Sequence, residues 1–154
     1  MKKFLFPLST LRVVTLWVIF LAPALAFSQT IAGGGNHSHA ICIDNTIRAW
    51  GYNLSGELGN GTNTNSNIPV PTSSLTGIIA IAEGWNHSLA VKNDGTVWAW
   101  GRNVYGELGN ATNTDSNSPV QTSSLTGIIA TAGGGDHSLA LNNDGTVWAW
   151  GKNI

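Results

Sequence analysis

The sequence predicts an all-β fold made of stacked, similar sheets. Three observations lead there. The first is a fixed period of 50 residues, marked by His37, His87 and His137 and again by Trp50, Trp100 and Trp150. A period of this size is the mark of a repeat architecture. The second is the alternation of short β-branched and aromatic runs with turn residues. The third is composition: 10% charged residues and 19 glycines, with no long stretch of helical spacing after residue 30, suit an all-β repeat protein with polar loops.

The clearest copy of the unit runs from Gly84 to Gly101. Ser88–Val91 and Thr96–Trp100 read as strands, and Asn93-Asp94-Gly95 between them is a hairpin signal, because glycine supplies the positive φ of a tight turn. The first copy has Asp44-Asn45 there, and asparagine is the next best residue at positive φ. In Val97-Trp98-Ala99-Trp100 both alternating faces are apolar, so the strand expects cover on both sides. Trp50, Trp98, Trp100, Trp148 and Trp150 are assigned to that packing.

Upstream, Leu75 to Ala82 supplies another strand, and the Asn/Thr/Ser-rich stretches 62–74 and 112–124 read as surface loops around a short strand near Val70 and Val120. Strands are expected near 69–71, 78–82, 88–92 and 96–100, four to a unit. Gly56-Glu57-Leu58-Gly59 and Gly106-Glu107-Leu108-Gly109 suggest a tight turn that tucks Leu58 and Leu108 into the core.

These residues resemble the repeat of the regulator-of-chromosome-condensation family. The resemblance rests on Gly-x-x-His-Ser-Leu-Ala at 84–90, Asp-Gly-Thr-Val-Trp-x-Trp-Gly at 94–101 and Asn-x-x-Gly-Glu-Leu-Gly at 103–109. Glu107 stands where the family usually has Gln. The resemblance covers about 31–154 and points to an exported, bacterial, alpha-tubulin-suppressor-like member. It implies a β-propeller, commonly of seven four-stranded blades. The expected fold class is therefore all-β, an incomplete β-propeller of about 2.5 four-stranded blades, with units at about 31–80, 81–130 and a truncated 131–154. The sequence stops inside a unit, so a longer chain or an assembly of copies is expected to close the ring, and uncovered apolar blade faces are expected at both flanks.

Residues 1–26 read as a secretory signal peptide. Lys2, Lys3 and Arg12 precede the apolar run Val13–Ala22, Pro23 breaks it, and Ala24-Leu25-Ala26 fits cleavage after Ala26, with Ser28 as a second possible site. A membrane anchor is the rival reading, but the run falls short of the roughly 18 residues a spanning helix needs. No cysteine marks a lipoprotein site. Cleavage leaves Arg48, Lys92, Arg102 and Lys152 against eight acids, a net charge of −4. No basic stripe survives, so nucleic acid is not an expected partner.

Few residues suggest chemistry. Glu57 and Glu107 recur at one point of each unit, which favours an architectural role accepting hydrogen bonds from loop amides. His37, His87 and His137 fall on different blades, about 10 Å apart, too far to share a metal whose ligands lie about 2 Å away; each is read as a hydrogen-bonding anchor of its blade. Cys42, the only cysteine, reads as an inert thiol. The first copy carries His39 and Arg48 where later copies have Leu89 and Trp98. Terminal repeats are commonly atypical, and a dedicated site made by that pair is the alternative. Trp85 replaces Gly35 and Gly135, so packing does not demand it; it is the leading partner-contacting residue, followed by Tyr52 and Tyr105. No catalytic, cofactor or metal residues are assigned, and no unrepeated polar constellation is visible.

The function expected is an exported, non-enzymatic module that binds an unidentified protein, in the periplasm, at the cell surface or outside the cell. The alternatives are the propeller part of a secreted enzyme acting on cell wall or polysaccharide, and a structural adhesion repeat.

Overall fold

The computed structural model describes residues 31–152; the signal-peptide reading lies outside them. Among the described residues no helix is long and apolar enough to cross a membrane. In the described residues eleven antiparallel strands form three sheets. The first sheet holds β1 (Ile31–Gly33), β2 (His37–Ile41), β3 (Ile47–Gly51) and β4 (Ser66–Pro71). The second holds β5 (Ile78–Glu83), β6 (His87–Lys92), β7 (Val97–Gly101) and β8 (Ser116–Gln121). The third holds β9 (Ile128–Gly133), β10 (His137–Asn142) and β11 (Val147–Gly151). Each sheet is a meander whose strands pair in chain order. The sheets stack as successive blades of an incomplete propeller.

The strand at 69–71 closes the first sheet by pairing with β3, Ala49 opposite Val70, rather than opening the second. The grouping of strands read from the sequence is corrected accordingly: a blade begins at 78 and ends at 121. Pro69 and Pro71 lie on the outer strand of the first sheet, where a missing N–H costs no ladder bond.

The hairpins form as the turn residues dictate. Gly95 N–H donates to Lys92 O at 2.9 Å and Lys92 N–H to Thr96 O at 3.0 Å, the three-residue connection with glycine at positive φ. Gly95 has φ +77° and Asn45, its counterpart, φ +58°. Asp44 and Asp94 each accept from a threonine hydroxyl at 2.6 Å and from the same residue's amide. Those bonds hold both carboxyls below the ordinary value.

The apolar residues fill the two gaps between sheets. Ile47 of the first sheet packs with Ile78, Ile81, Ala90 and Trp100 of the second. Leu89, Val91, Val97 and Ala99 use the other face of the second sheet against Ile128 and Ala140 of the third. The middle sheet is thus buried on both faces, as its apolar strands require. Leu58 and Leu108 are fully buried.

Trp148 departs from its assignment to the core, being 49% exposed. Its counterpart Trp98 has β8 beside it, opposite Gln121, whereas among the described residues no strand flanks the outer edge of β11. The outer face of the third sheet exposes Leu141 and Val147. Arg48 is exposed on the first sheet, making that flank more polar than the sequence reading proposed.

Candidate functional site

Two of the repeated histidines, His37 and His87, lock their blade to the next, whereas His137 is exposed and anchors nothing among the described residues. Ser138 Oγ donates to Glu107 O at 2.8 Å, so its lone pairs face His87 Nε2 at 2.9 Å, which donates to it. Trp150 Nε1 donates to the same carbonyl at 2.7 Å. One gap earlier, Ser88 Oγ and Trp100 Nε1 donate to Glu57 O at 3.0 and 2.7 Å, and His37 Nε2 lies 3.1 Å from Ser88 Oγ. The turn carrying Glu57 or Glu107 is therefore held by the serine and tryptophan of the following blade. This is why Gly-Glu-Leu-Gly, His-Ser and Trp-Gly recur together. Burial pushes the His87 imidazole down to about 4, so it works as a neutral donor.

The glutamate side chains are architectural. Glu57 accepts from Ser55 N–H at 2.9 Å and from the Asn86 amide at 3.1 Å. Glu107 accepts from Tyr105 N–H at 2.7 Å. Asp136 replaces Asn86 beside it, and Arg102 offsets the extra charge by bonding Asp136 at 2.8 Å.

Trp85, Tyr52 and Tyr105 fall on one face of the blade stack. The loops before β2, β6 and β10 meet the chain leaving β3, β7 and β11 through three equivalent bonds: Tyr52 N–H to Asn36 O, Arg102 N–H to Asn86 O and Lys152 N–H to Asp136 O, each 2.8 Å. The same loops are joined laterally, Gly35 N–H to Trp85 O at 3.2 Å and Trp85 N–H to Gly135 O at 3.3 Å. The Trp85 indole lies over Gly135, where a Cβ would sit 3.5 Å from the ring, and is 66% exposed. It lines an open cavity with Asp136, His137, Trp150 and Lys152. Lys152 Nζ is 3.6 Å from Asp136 and 4.9 Å from the ring centre of Tyr105, over which Arg102 also lies. Trp85 and Tyr105 thus flank one small charged cluster. Tyr52 sits apart, half-buried beside Asn36, Asn65 and Asn67.

A second constellation went unread in the sequence, where no unrepeated polar cluster was visible. His37, His39 and Glu83 converge between the first two sheets. His37 Nε2 is 2.9 Å from Glu83 Oε2, and His39 Nδ1 is 2.7 Å from Oε1. All three side chains are about 1% exposed. Burial pulls the Glu83 carboxyl upward, but the two imidazoles beside it outweigh that effect and hold Glu83 down at about 2. Glu83 stands where the other copies have Gly33 and Gly133, and His39 where they have Leu89 and Leu139. Two unrepeated polar substitutions meeting in space are the signal that could have found it. His39 does not pair with Arg48: it opposes Ala49 in the ladder, Arg48 opposes Ala40, and the two point to opposite faces. The polarity of His39 also has nothing to do with a missing neighbour, since its ring meets Trp100 edge-on at 5.4 Å. His37, His87 and His137 lie in separate sheets.

Comparison with known proteins agrees with this geometry. The regulator of chromosome condensation (RCC1) repeat matches residues 44–91 and 94–141, and a second description of the same repeat matches 78–107. Human WBSCR16 is similar in structure, with TM-score 0.73 and 26% identity over 80% of this chain and 32% of that one. Prp20p from Saccharomyces cerevisiae, described with its binding properties to Gsp1p and histones, has TM-score 0.71 and 25% identity over 81% of this chain and 33% of its own. Yeast RCC1 (Prp20) bound to Kap60 has TM-score 0.69 and 24% identity over 81% and 32%. The chain spans about a third of the length of these structures. No curated protein sequence matches it.

Proposed function

The chain belongs to the regulator of chromosome condensation (RCC1) repeat family, and on that premise we propose that it is an exported β-propeller module that binds a protein partner through the face bearing Trp85 and catalyses nothing itself. One observation carries the reading. A tryptophan stands 66% exposed where the equivalent loops manage with Gly35 and Gly135. Exposing a large aromatic ring has no folding benefit, while a rigid aromatic beside a pocket is the usual anchor of a protein interface. Asp136, Lys152 and Tyr105 surround it with groups able to orient a polypeptide.

Structures of this architecture are described with protein partners: yeast RCC1 bound to Kap60, and Prp20p with its binding properties to Gsp1p and histones. Protein recognition is the part of that behaviour we carry to this chain. The acidic balance left after the proposed cleavage disfavours a phosphate backbone as ligand. Export rests on Lys2, Lys3, Arg12 and the apolar run before Ala24-Leu25-Ala26, and places the module in the periplasm, at the cell surface or outside the cell. The uncovered face of the third sheet, with Leu141 and Val147, would accept a further blade, from more of the same polypeptide or from another copy.

The test is co-purification from the exported fraction of the native host. Wild-type bait should retain a discrete protein that Trp85→Gly, the residue the other repeats use, releases. Equal retention by both baits would refute the assignment of the face. Turnover of a cell-wall glycan with no protein retained would refute the module reading itself.

A further inference from the structure

The cluster of His37, His39 and Glu83 combines two imidazoles and a carboxylate, all buried, in the gap between two blades. In the next gap the same positions hold His87, Leu89 and Gly133, and a single His87–Ser138 bond suffices. The first gap therefore has one histidine and one glutamate more than blade stacking requires. The additions leave polar groups unanswered. Four buried atoms, His37 Nδ1, His39 Nδ1, His39 Nε2 and Glu83 Oε1, have no hydrogen-bond partner among the described residues. His39 Nδ1 and Glu83 Oε1 are only 2.7 Å apart without forming a directed bond. Buried polar atoms are otherwise almost always paired, and a buried carboxylate between two imidazoles needs a positive charge, from a protonated ring or from a bound ion.

We propose that His37, His39 and Glu83 form a binding site for one divalent first-row transition ion, of which zinc is the type, that ties the first blade to the second. The donor set is the mixed imidazole and carboxylate set that such ions take. One ligand atom from each residue lies within 4.8 Å of the other two. Around a tetrahedral ion with bonds of about 2.0–2.2 Å, neighbouring donors stand about 3.3 Å apart. The closest pairs here, 2.9 and 2.7 Å, need to open by well under an ångström. Three protein donors leave a fourth position. Glu83 also lines a surface cavity with Gly33, Gly34 and Gly133, which supplies a path for the ion. The glycine at 33 leaves open space, no atom of the described residues lying within 4 Å of where its Cβ would be.

The histidines belong to β2 and the glutamate to the end of β5, so the ion would bridge two strands of different blades and act as a clip between them. That role differs from partner binding, and its test is independent of it. The purified chain, freed of metal with a chelator, is titrated with Zn²⁺ by calorimetry and with Co²⁺ by visible absorption. The expected results are one ion per chain, d–d bands of a tetrahedral nitrogen and oxygen site, and a midpoint of thermal unfolding raised by on the order of 10 °C at a hundredfold excess over Kd. His39→Leu and Glu83→Gly restore the residues of the neighbouring repeats, so both are expected to fold, checked by near-ultraviolet circular dichroism. Each should weaken binding by at least about 100-fold, while His137→Gln leaves it unchanged. Absence of saturable one-to-one uptake by the folded wild type would overturn the proposal. So would unchanged affinity in folded His39→Leu and Glu83→Gly, which would make the cluster a closed ion pair.

Discussion

Lowering the pH should loosen the stack through one residue, His87. Its ring is 1% exposed and donates to Ser138 at 2.9 Å, and burial depresses it from 6.5 to about 4. An imidazole kept neutral by the fold makes the unfolded chain the better proton binder between those values. Stability is then fully present above about 6.5 and is lost as the pH falls towards 4. The gap corresponds to about 3 kcal/mol in total, of which about 2 kcal/mol falls between pH 7 and pH 5. The assay is urea unfolding followed by tryptophan fluorescence at a series of pH values. His87→Gln retains an N–H for Ser138 and removes the titration. The wild type should lose about 2 kcal/mol more than the variant over that range. Glu83 stays out of this window, since its depressed carboxyl costs stability only as the pH falls below 4.5 towards about 2. Parallel slopes for the two proteins would refute the reasoning.

Other perturbations probe the remaining contacts. Ser138→Ala removes the donor to Glu107 O and strands the buried His87 N–H, and should cost about 2–3 kcal/mol in chemical denaturation. Thr96→Ala, which breaks an exposed 2.6 Å bond to Asp94, should cost under about 1 kcal/mol. Gly59 has φ +62° and a Cβ there would lie 2.8 Å from Trp100 Nε1, so Gly59→Ala should cost about 2–4 kcal/mol and shift the fluorescence of Trp100. Trp85→Gly should change the unfolding midpoint by no more than about 1 kcal/mol in equivalent stability, because the ring it removes is largely in solvent.

The blade was legible in the sequence because its determinants are local and repeated. Asp-Gly or Asp-Asn set the hairpins, and strands apolar on both faces required neighbours on both sides. Glu57, Glu107, His37 and His87 were legible as architecture for the same reason, since a residue at one point of every unit belongs to the unit, while His137 is exposed and has no following blade to hold among the described residues. What repetition did not reveal was where one unit hands over to the next. The strand at 69–71 is followed closely by that at 78–83, and only the ladder between Ala49 and Val70 assigns it to the earlier sheet. His39 and Glu83 were illegible for a related reason. Each looks like wear in a single copy, and their meaning arises only when stacking brings β2 against β5. Trp85 and Tyr105 stood out by departing from their counterparts, but the sequence could not place them on the same face. That followed from three backbone bonds linking positions 36 and 52, 86 and 102, and 136 and 152. Trp148 was misread because its cover depends on a strand beside β11, not on its own surroundings in the chain.

The central claim is that the face bearing Trp85 is the binding surface, and site-specific photo-crosslinking tests it most directly. A photoreactive phenylalanine analogue is placed at position 85 in one culture of the native host. In another it is placed at Ile43, which is fully exposed in the turn between β2 and β3. The account predicts that irradiation yields a discrete protein adduct from position 85 and not from position 43. Adducts from position 43 alone, or no adduct from position 85 while the tagged chain is folded and exported, would contradict it.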